Sequence, residues 1–222
     1  MKVQASPMSW RLRLAAFVGG VVLGVAGWFL WPIPPERERS AAELMDIVMW
    51  GREPIGGPFT LTDHNGQRRT DVDFRGKLLL VYFGFTACSD VCPTDLQSIA
   101  VAIDNLGHTG DAVQPLFITV NPELDTPEQL KYYVALFHPR MIGLTGSRRQ
   151  IADVSRAYKV YFARTTPGDR TDPNFDHSSL VYVVGTDGKY VGFFPPGTPA
   201  DRMVEFLRLK LAAMTQPQGS KL

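Results

Sequence analysis

LLLVYFGFTACSDVCPTDL, residues 78–96, is the stretch that decides the fold of this chain. Leu78 to Phe85 is almost entirely apolar, β-branched or aromatic, which is typical of a strand covered on both faces. Pro93 and Thr94 then open a segment whose apolar positions approximate a helical stripe and which stops near Gly107. The sequence therefore predicts a buried central strand that runs into a helix through two cysteines.

Strand and helix patterns alternate on both sides of this unit, which predicts an α/β layer fold for a single domain over residues 53–216. A short C-terminal tail, 217–222, follows the domain. The other predicted strands are 58–61 and 70–74, which flank the turn Asp63-His64-Asn65-Gly66, and 116–120, 180–184 and 190–194. The other predicted helices are 126–137, 147–158 and 199–214.

An uncharged stretch, LAAFVGGVVLGVAGWFLW at residues 14–31, precedes the domain. As a helix it would measure roughly 27 Å, close to the thickness of a hydrocarbon core, and tryptophans stand at both of its ends. We therefore predict one transmembrane helix over 14–31, after an N-terminal segment 1–13 and before a linker 32–52. A cleaved signal peptide is the alternative interpretation.

The charges around this stretch predict its orientation. Lys2, Arg11 and Arg13 precede it, whereas residues 36–39 after it, Glu-Arg-Glu-Arg, balance basic groups with acids. The positive-inside bias then places the N-terminus in the cytoplasm and the domain on the outer side. Because the few residues before the stretch leave no room for a long transit peptide, we expect a bacterial inner membrane and a periplasmic domain.

Composition excludes several classes of protein. There are 23 Lys and Arg against 22 Asp and Glu, a formal charge of +1, which argues against a nucleic-acid binder that relies on bulk charge. With 45% hydrophobic residues, the chain is also unlike a disordered protein. Its two cysteines are too few for a disulfide scaffold or a four-cysteine zinc site.

Cys88 and Cys92 lie four residues apart, where the predicted central strand gives way to a helix. Because backbone N–H groups and the dipole of a helix N-terminus stabilise a thiolate, we expect at least one of the two to be more acidic than a free thiol. A structural disulfide is an alternative, but so short a loop contributes only about 2 kcal/mol. Two thiolates form half of a copper(I) or zinc site, and without a third cysteine the next ligand should be histidine.

Of the four histidines, three stand where a local role is favoured: His64 in the predicted turn, His108 at a helix end and His138 beside a proline. His177 lies in FDHSSLVYVV, at the end of a polar loop and just before a predicted strand. In a thioredoxin-like layout this loop faces the cysteines, so His177 is the candidate third ligand. A solvated loop histidine is the alternative. Asp176 is placed to orient the ring or to tune the site.

Tyr82-Phe83-Gly84-Phe85-Thr86 running into Cys88-x-x-x-Cys92-Pro93, with Asp176-His177-Ser178 downstream, resembles the Sco/SenC family of cytochrome c oxidase assembly proteins. The resemblance extends to residues 56–59, 125–128 and 158–161 and covers nearly all of the domain. It implies a thioredoxin-like sheet flanked by helices. It also implies copper(I), or copper(II) with a further donor, bound by the two motif cysteines and the downstream histidine. Ser89 and residues 120–124 depart from the family pattern without removing a ligand.

The role that the resemblance implies is that of a membrane-anchored metallochaperone, which delivers copper to the copper A centre in the copper-site subunit of cytochrome c oxidase. The alternative is a thiol–disulfide oxidoreductase in which Cys88 and Cys92 reduce the cysteines of that centre. Other implied partners are periplasmic copper chaperones, thioredoxin-like reductants and the lipid bilayer. A peroxidase is disfavoured because Pro-x-x-x-Thr-x-x-Cys is absent around Cys88. Asp90 is placed to help docking, or is a solvated carboxylate of the first helical turn.

Overall fold

The computed structural model of the chain describes residues 40–50, 53–165 and 175–215. The predicted transmembrane helix 14–31, the first part of the linker and the tail 217–222 lie outside these ranges. Within them, no helix combines the length and the apolar character that crossing a bilayer requires.

A seven-stranded mixed sheet forms the centre of the domain, in the order β2-β1-β5-β4-β3-β8-β9. The three strands β3, β4 and β5 are parallel, whereas β8 runs antiparallel to β3 on its other side. The strands are β1 (Thr60–Asp63), β2 (Arg68–Thr70), β3 (Leu78–Gly84), β4 (Val113–Thr119), β5 (Ile142–Thr145), β8 (Val181–Val184) and β9 (Tyr190–Phe194). Two further strands, β6 (Phe162–Arg164) and β7 (Phe175–His177), form a separate antiparallel pair.

Helices cover the sheet, as a thioredoxin-like α/β fold requires. They are α1 (Ala41–Trp50), α2 (Val91–Asn105), α3 (Pro127–Ala135), α4 (Arg148–Ala157) and α5 (Ala200–Thr215), with 3₁₀ helices at Asp71–Phe74 and Gly107–Ala112. Every residue of β3 is buried, and the strand lies inside the sheet between β4 and β8, which confirms the prediction of a strand covered on both faces. Its residues alternate between two cores: Leu80 and Tyr82 pack with α2, α3 and α5, whereas Val81 and Phe83 pack with α4. Each such side chain contributes roughly 1.5–3 kcal/mol by burial.

The prediction of a strand over 70–74 is wrong beyond its first residue. β2 ends at Thr70, and Asp71–Phe74 form a 3₁₀ helix. The cause is a local capping box, in which the Asp73 carboxylate accepts hydrogen bonds from the Thr70 amide at 2.6 Å and from the Thr70 hydroxyl at 3.1 Å. Side-chain capping therefore ends the hairpin earlier than the apolar pattern indicates.

Three strands, β5, β6 and β7, were not predicted. β5 is only four residues long and contains Gly143, where a Cβ would lie 3.0 Å from Leu130 Cβ, so close packing against α3 favours glycine there. β7 occupies the end of the segment predicted as a polar loop and pairs with β6, with His177 opposite Phe162. All three strands, at three or four residues, are too short to leave a clear alternation in the sequence.

The β1–β2 turn is built around a buried carboxylate, Asp63. It accepts hydrogen bonds from the amides of Asn65 and Gln67, both at 2.9 Å, and from Arg69 Nε at 2.8 Å. Although burial raises the pKa of Asp63, the hydrogen bonds from Arg69, Gln67 and Asn65 outweigh it and hold this pKa below the ordinary 3.8. The charged form of Asp63 therefore stabilises the turn.

Replacing Asp63 with Asn is expected to lower the free energy of unfolding by about 2 kcal/mol at pH 7, since the substitution breaks a buried charged hydrogen-bond network. The folded-state pKa of Asp63 is depressed, so this stabilisation is fully present above the unfolded-state pKa and is lost as pH falls through the folded-state value. Urea unfolding followed by circular dichroism at pH 7 and at low pH measures both effects. Asp153→Asn, at an exposed pair with Arg156, is the control; an equal loss in both variants contradicts the argument.

Candidate metal centre

Three side chains from distant parts of the chain converge at the carboxyl end of β3. The ligand atoms of Cys88, Cys92 and His177 all lie within 4.8 Å of one another, and Cys92 Sγ is 3.5 Å from His177 Nε2. Among residues 40–50, 53–165 and 175–215, no other group of histidine, cysteine and carboxylate side chains reaches this geometry. The structure thus brings together the three residues that the sequence predicts as metal ligands.

The end of β3 and the start of α2 position the two sulfurs. After Gly84 the chain turns, and the Cys88 amide donates to the Phe85 carbonyl at 3.2 Å. α2 begins at Val91, slightly before the predicted start, so Cys92 lies in its first turn. Cys92 is completely buried in the core beneath the sheet face, while Cys88 is half-buried at the edge of both cores. Both cysteines are free thiols.

Glycine at position 84 makes this placement of Cys92 feasible. A Cβ built on Gly84 would lie 2.9 Å from Cys92 Sγ, 3.0 Å from Phe117 Cε2 and 3.1 Å from Tyr82 Cε1. The first distance is shorter than real Cβ contacts allow, so any larger residue would have to displace the sulfur. The close approach of strand and helix, rather than an unusual backbone angle, explains the glycine of the Tyr-Phe-Gly-Phe-Thr segment.

β7 and the entry to β8 position His177. The Ser178 amide donates to the Tyr161 carbonyl at 2.9 Å, and the Ser178 hydroxyl accepts from the Tyr161 amide at 3.2 Å. Because β8 is antiparallel to β3, with Val181 opposite Tyr82, the chain enters β8 beside the end of β3. This register carries the histidine to the cysteines across 85 residues of sequence.

Aromatic rings hold the imidazole in place. The Tyr82 ring meets it edge-on with a centroid distance of 6.3 Å, and Phe85 does so at 5.8 Å. Nε2 faces Cys92, while Nδ1 is buried and makes no hydrogen bond of good geometry with the described part of the chain. The ring is therefore oriented by aromatic packing and by the contact of Nε2 with Cys92, rather than by a partner at Nδ1.

Asp176 does not orient the His177 ring through a hydrogen bond, as the sequence suggested it would, but influences it only through its charge. Asp176 is exposed and pairs with Ala163 in the β6–β7 register, and no hydrogen bond joins its carboxylate to His177 among the described contacts. Burial lowers the pKa of His177 below its ordinary value; the Ser178 backbone and the Asp176 charge oppose this shift. Asp176 consequently acts on the ring through charge alone.

The protonation of Cys92 differs from what a helix N-terminus alone predicts. Burial raises the pKa of Cys92 well above that of a free thiol, and the neighbouring Cys88 raises it further, whereas the Phe85 backbone and the Tyr82 hydroxyl lower it. Burial outweighs the helix dipole because the sulfur has no contact with solvent. A metal ion that binds here must displace a proton from this thiol.

The other three histidines lie outside the donor group. His64 Nδ1 accepts from the Gly143 amide at 3.0 Å, and His138 is buried with Nδ1 accepting from the Arg140 amide at 3.1 Å. His108 is exposed in the second 3₁₀ helix. Asp90, the N-cap of α2, is also exposed, and its side chain makes no capping hydrogen bond.

Sequence reasoning missed a buried network that anchors the cysteine loop. Asp125 accepts hydrogen bonds from the Thr86 hydroxyl at 2.6 Å, the Thr86 amide at 3.1 Å and the Thr119 hydroxyl at 2.5 Å. Thr86 stands two residues before Cys88, so the network ties the loop to the end of β4. The position of Asp125 directly before a Thr-Pro helix start was the available signal, but such a residue is usually solvated.

A second missed carboxylate, Asp95, is buried one turn after Cys92. Its Oδ1 accepts from the Gly197 amide at 2.8 Å, which connects α2 to the turn before α5. Burial raises the pKa of Asp95 above its ordinary value, and the Gly197 hydrogen bond opposes this effect. Asp95 thus fixes the helix that carries the buried sulfur.

Two soft sulfur donors and one imidazole nitrogen match the ligand preference of copper(I), which tolerates low coordination numbers. Cys88 and His177 are half-buried, so an incoming ion reaches them before it reaches Cys92. The donor set and its partial exposure therefore fit a metal that is bound and released again, more closely than a closed structural zinc site with four ligands.

Comparison with known proteins identifies relatives of this chain. The sequence model of the SCO1/SenC family matches residues 49–212. The chain is 38% identical over 192 residues to the mitochondrial SCO1 homologue of Homo sapiens, a match that covers 85% of this chain and 62% of that protein. It is 44% identical over 210 residues to a SCO2-like protein of Rickettsia conorii, with coverage of 94% and 99%.

Solved structures agree with these matches. The crystal structure of Arabidopsis thaliana ScoI with copper bound superposes with a TM-score of 0.67 at 39% identity, over 72% of this chain and 99% of that one. Bradyrhizobium japonicum ScoI with copper bound gives a TM-score of 0.65 at 39% identity, over 70% and 99%. The neighbours hold copper, and the Cys-Cys-His group described above is one that could bind it.

Proposed function

This chain belongs to the SCO1/SenC family, and on that premise we propose that it is a membrane-anchored copper metallochaperone. It binds copper(I) through Cys88, Cys92 and His177 and assists assembly of the copper A centre of cytochrome c oxidase. The convergence of three donor atoms within 4.8 Å carries the proposal. Copper in the structures of two relatives at 39% identity supports it.

The difference in exposure between the sulfurs gives transfer a direction. Cys88 is half-buried and Cys92 completely buried, so thiolates of the copper-site subunit reach the metal from the side of Cys88 and His177. Cys92 is then the last ligand to release the copper ion. Because burial raises the pKa of its thiol, Cys92 takes up a proton readily on release, and this proton uptake favours departure of the metal.

The membrane and its orientation are part of the same proposal. Residues 14–31 anchor the chain in the inner membrane with the N-terminus in the cytoplasm, and the domain faces the periplasm, where the copper-site subunit, other copper chaperones and thioredoxin-like reductants are its partners. The uncharged run and its flanking charges in the sequence support this arrangement.

A second candidate function is reduction of the oxidase cysteines by thiol–disulfide exchange. Two free thiols whose sulfurs lie within 4.8 Å, one half-exposed and one buried, match an attacking and a resolving cysteine. In that reaction the Cys88 thiolate attacks the partner disulfide, and Cys92 then displaces the partner thiolate, so Cys88–Cys92 is oxidised as the partner is reduced.

Complementation tests whether Cys88 is required, and chemical rescue of the variant then separates the two functions. In a strain whose oxidase assembly depends on this protein, Cys88→Ser is expected to reduce assembly to the level of the deletion, because a hydroxyl is a poor copper(I) ligand and cannot exchange disulfides. Oxidase activity and copper A absorbance are the readouts, and Ser89→Ala is the matched control.

Rescue of the Cys88→Ser strain by added copper supports delivery. If only a thiol reductant restores the oxidase, reduction is the function and the metallochaperone proposal fails. A purified wild-type chain that takes up no copper(I) from a chelator would overturn the proposal directly.

A further inference from the structure

A groove of about 390 Å³ opens beside the candidate metal centre. Its lining includes His177 and Asp176, the apolar side chains of Val91 and Leu180, and Met45 from the helix α1. The groove therefore leads from solvent to the imidazole, and among the described residues that line it Met45 is the one with a sulfur atom.

α1 holds Met45 at this position. The helix begins with a reciprocal cap, in which the Ser40 amide donates to Glu43 Oε2 at 2.9 Å and the Glu43 amide donates to the Ser40 hydroxyl at 3.2 Å. Ile47, on the same helix, is buried. Met45 itself is 37% exposed, so its side chain contacts both the groove and solvent.

A thioether is a neutral, soft and polarizable donor, which favours copper(I) over the hard cations that are far more abundant in solution. Unlike a thiol, the thioether can bind copper(I) without losing a proton. Cys92 offers no such entry, since its sulfur is completely buried. A donor at the solvent side of the groove therefore adds a more exposed entry point to the half-buried Cys88 and His177.

We propose that Met45 is a capture ligand for copper(I). Incoming copper(I) first binds the Met45 thioether and then passes along the groove to His177 and the cysteines. The copper–thioether bond breaks as the two copper–thiolate bonds form, the two thiol protons pass to water, and the metal remains copper(I) throughout. This inference rests on the proposed function and adds a residue outside the Cys-Cys-His group.

The test uses the full-length chain in detergent, with copper(I) supplied by a chromophoric chelator and its transfer followed by stopped-flow absorbance. Met45→Leu keeps the apolar volume but removes the sulfur. Met45→Leu is expected to slow copper(I) loading about tenfold, which is at the lower end of the effects that accessory groups have on metal sites. The equilibrium affinity for copper(I) should stay within about threefold of wild type. Met49→Leu is the control, because Met49 lies one turn later, is 57% exposed and does not line the groove.

Met45→Ala distinguishes a methionine that binds copper(I) from one that only narrows the groove. A methionine that merely narrows the groove predicts faster loading when it is shortened, whereas a capture ligand predicts slower loading. Wild-type loading rates in Met45→Leu, or faster loading in Met45→Ala, would overturn the inference while leaving the proposed function intact. If the wild-type chain itself takes no copper(I), the proposed function fails, and this inference fails with it.

Discussion

Replacing His177 with alanine is expected to weaken copper(I) binding by more than about 100-fold, because loss of a group that only supports a ligand already costs 10–100-fold. The side chain contributes the single nitrogen of the donor group, and Nε2 lies 3.5 Å from Cys92 Sγ. Without it, copper(I) retains two sulfurs, one of which must still lose a proton in a buried site. Competition against a copper(I) chelator of known affinity measures the change.

The same variant should leave thiol–disulfide exchange between Cys88 and Cys92 largely intact, since the two sulfurs do not depend on the imidazole for their placement. Exchange with a small-molecule disulfide, followed by mass spectrometry, provides that readout. His108→Ala is the matched control, because His108 is exposed and lies outside the donor group. Copper(I) binding that is equal in His177→Ala and wild type would rule out the three-ligand site.

Gly84→Ala, a substitution in β3, is expected to lower both the stability of the protein and its affinity for copper(I). The added methyl group would lie 2.9 Å from Cys92 Sγ, and the aromatic rings of Phe117 and Tyr82 leave no room on its other sides. Overpacking of this kind costs about 1–3 kcal/mol in stability. Because the sulfur is the atom that must move, copper(I) affinity should fall by about tenfold or more, as expected for a displaced metal-site group.

Thermal unfolding and chelator competition measure these two effects separately. Gly192→Ala is the control, since it also adds a methyl group to a strand glycine, but there the nearest atom is Phe206 Cζ at 3.8 Å, an ordinary contact. Gly192→Ala should therefore keep wild-type affinity. A Gly84→Ala protein that is destabilised but binds copper(I) normally would mean that Cys92 Sγ is not held against β3.

The candidate site could be predicted to a large extent because its parts carry strong chemical signals. Cys88 and Cys92 are the only cysteines, and their spacing at a strand–helix junction indicates a shared role. His177 followed from the expected position of the strand after it. Asp125 and Asp95 could not be predicted as supports of the site, because their roles depend on burial and on partners far along the chain, Thr86 and Gly197.

The sequence by itself determined the buried strand β3, the helix after it and the pair of cysteines between them, because periodicity and residue type act over neighbouring residues. Only the tertiary structure decided how closely the His177 imidazole approaches the sulfurs, since antiparallel pairing of β8 with β3 sets that distance. It also decided the pKa of Cys92, because burial depends on the whole core and exceeds the local effect of the helix N-terminus. The position of Met45 beside His177 has the same origin: packing joins a helix near the start of the domain to a strand near its end.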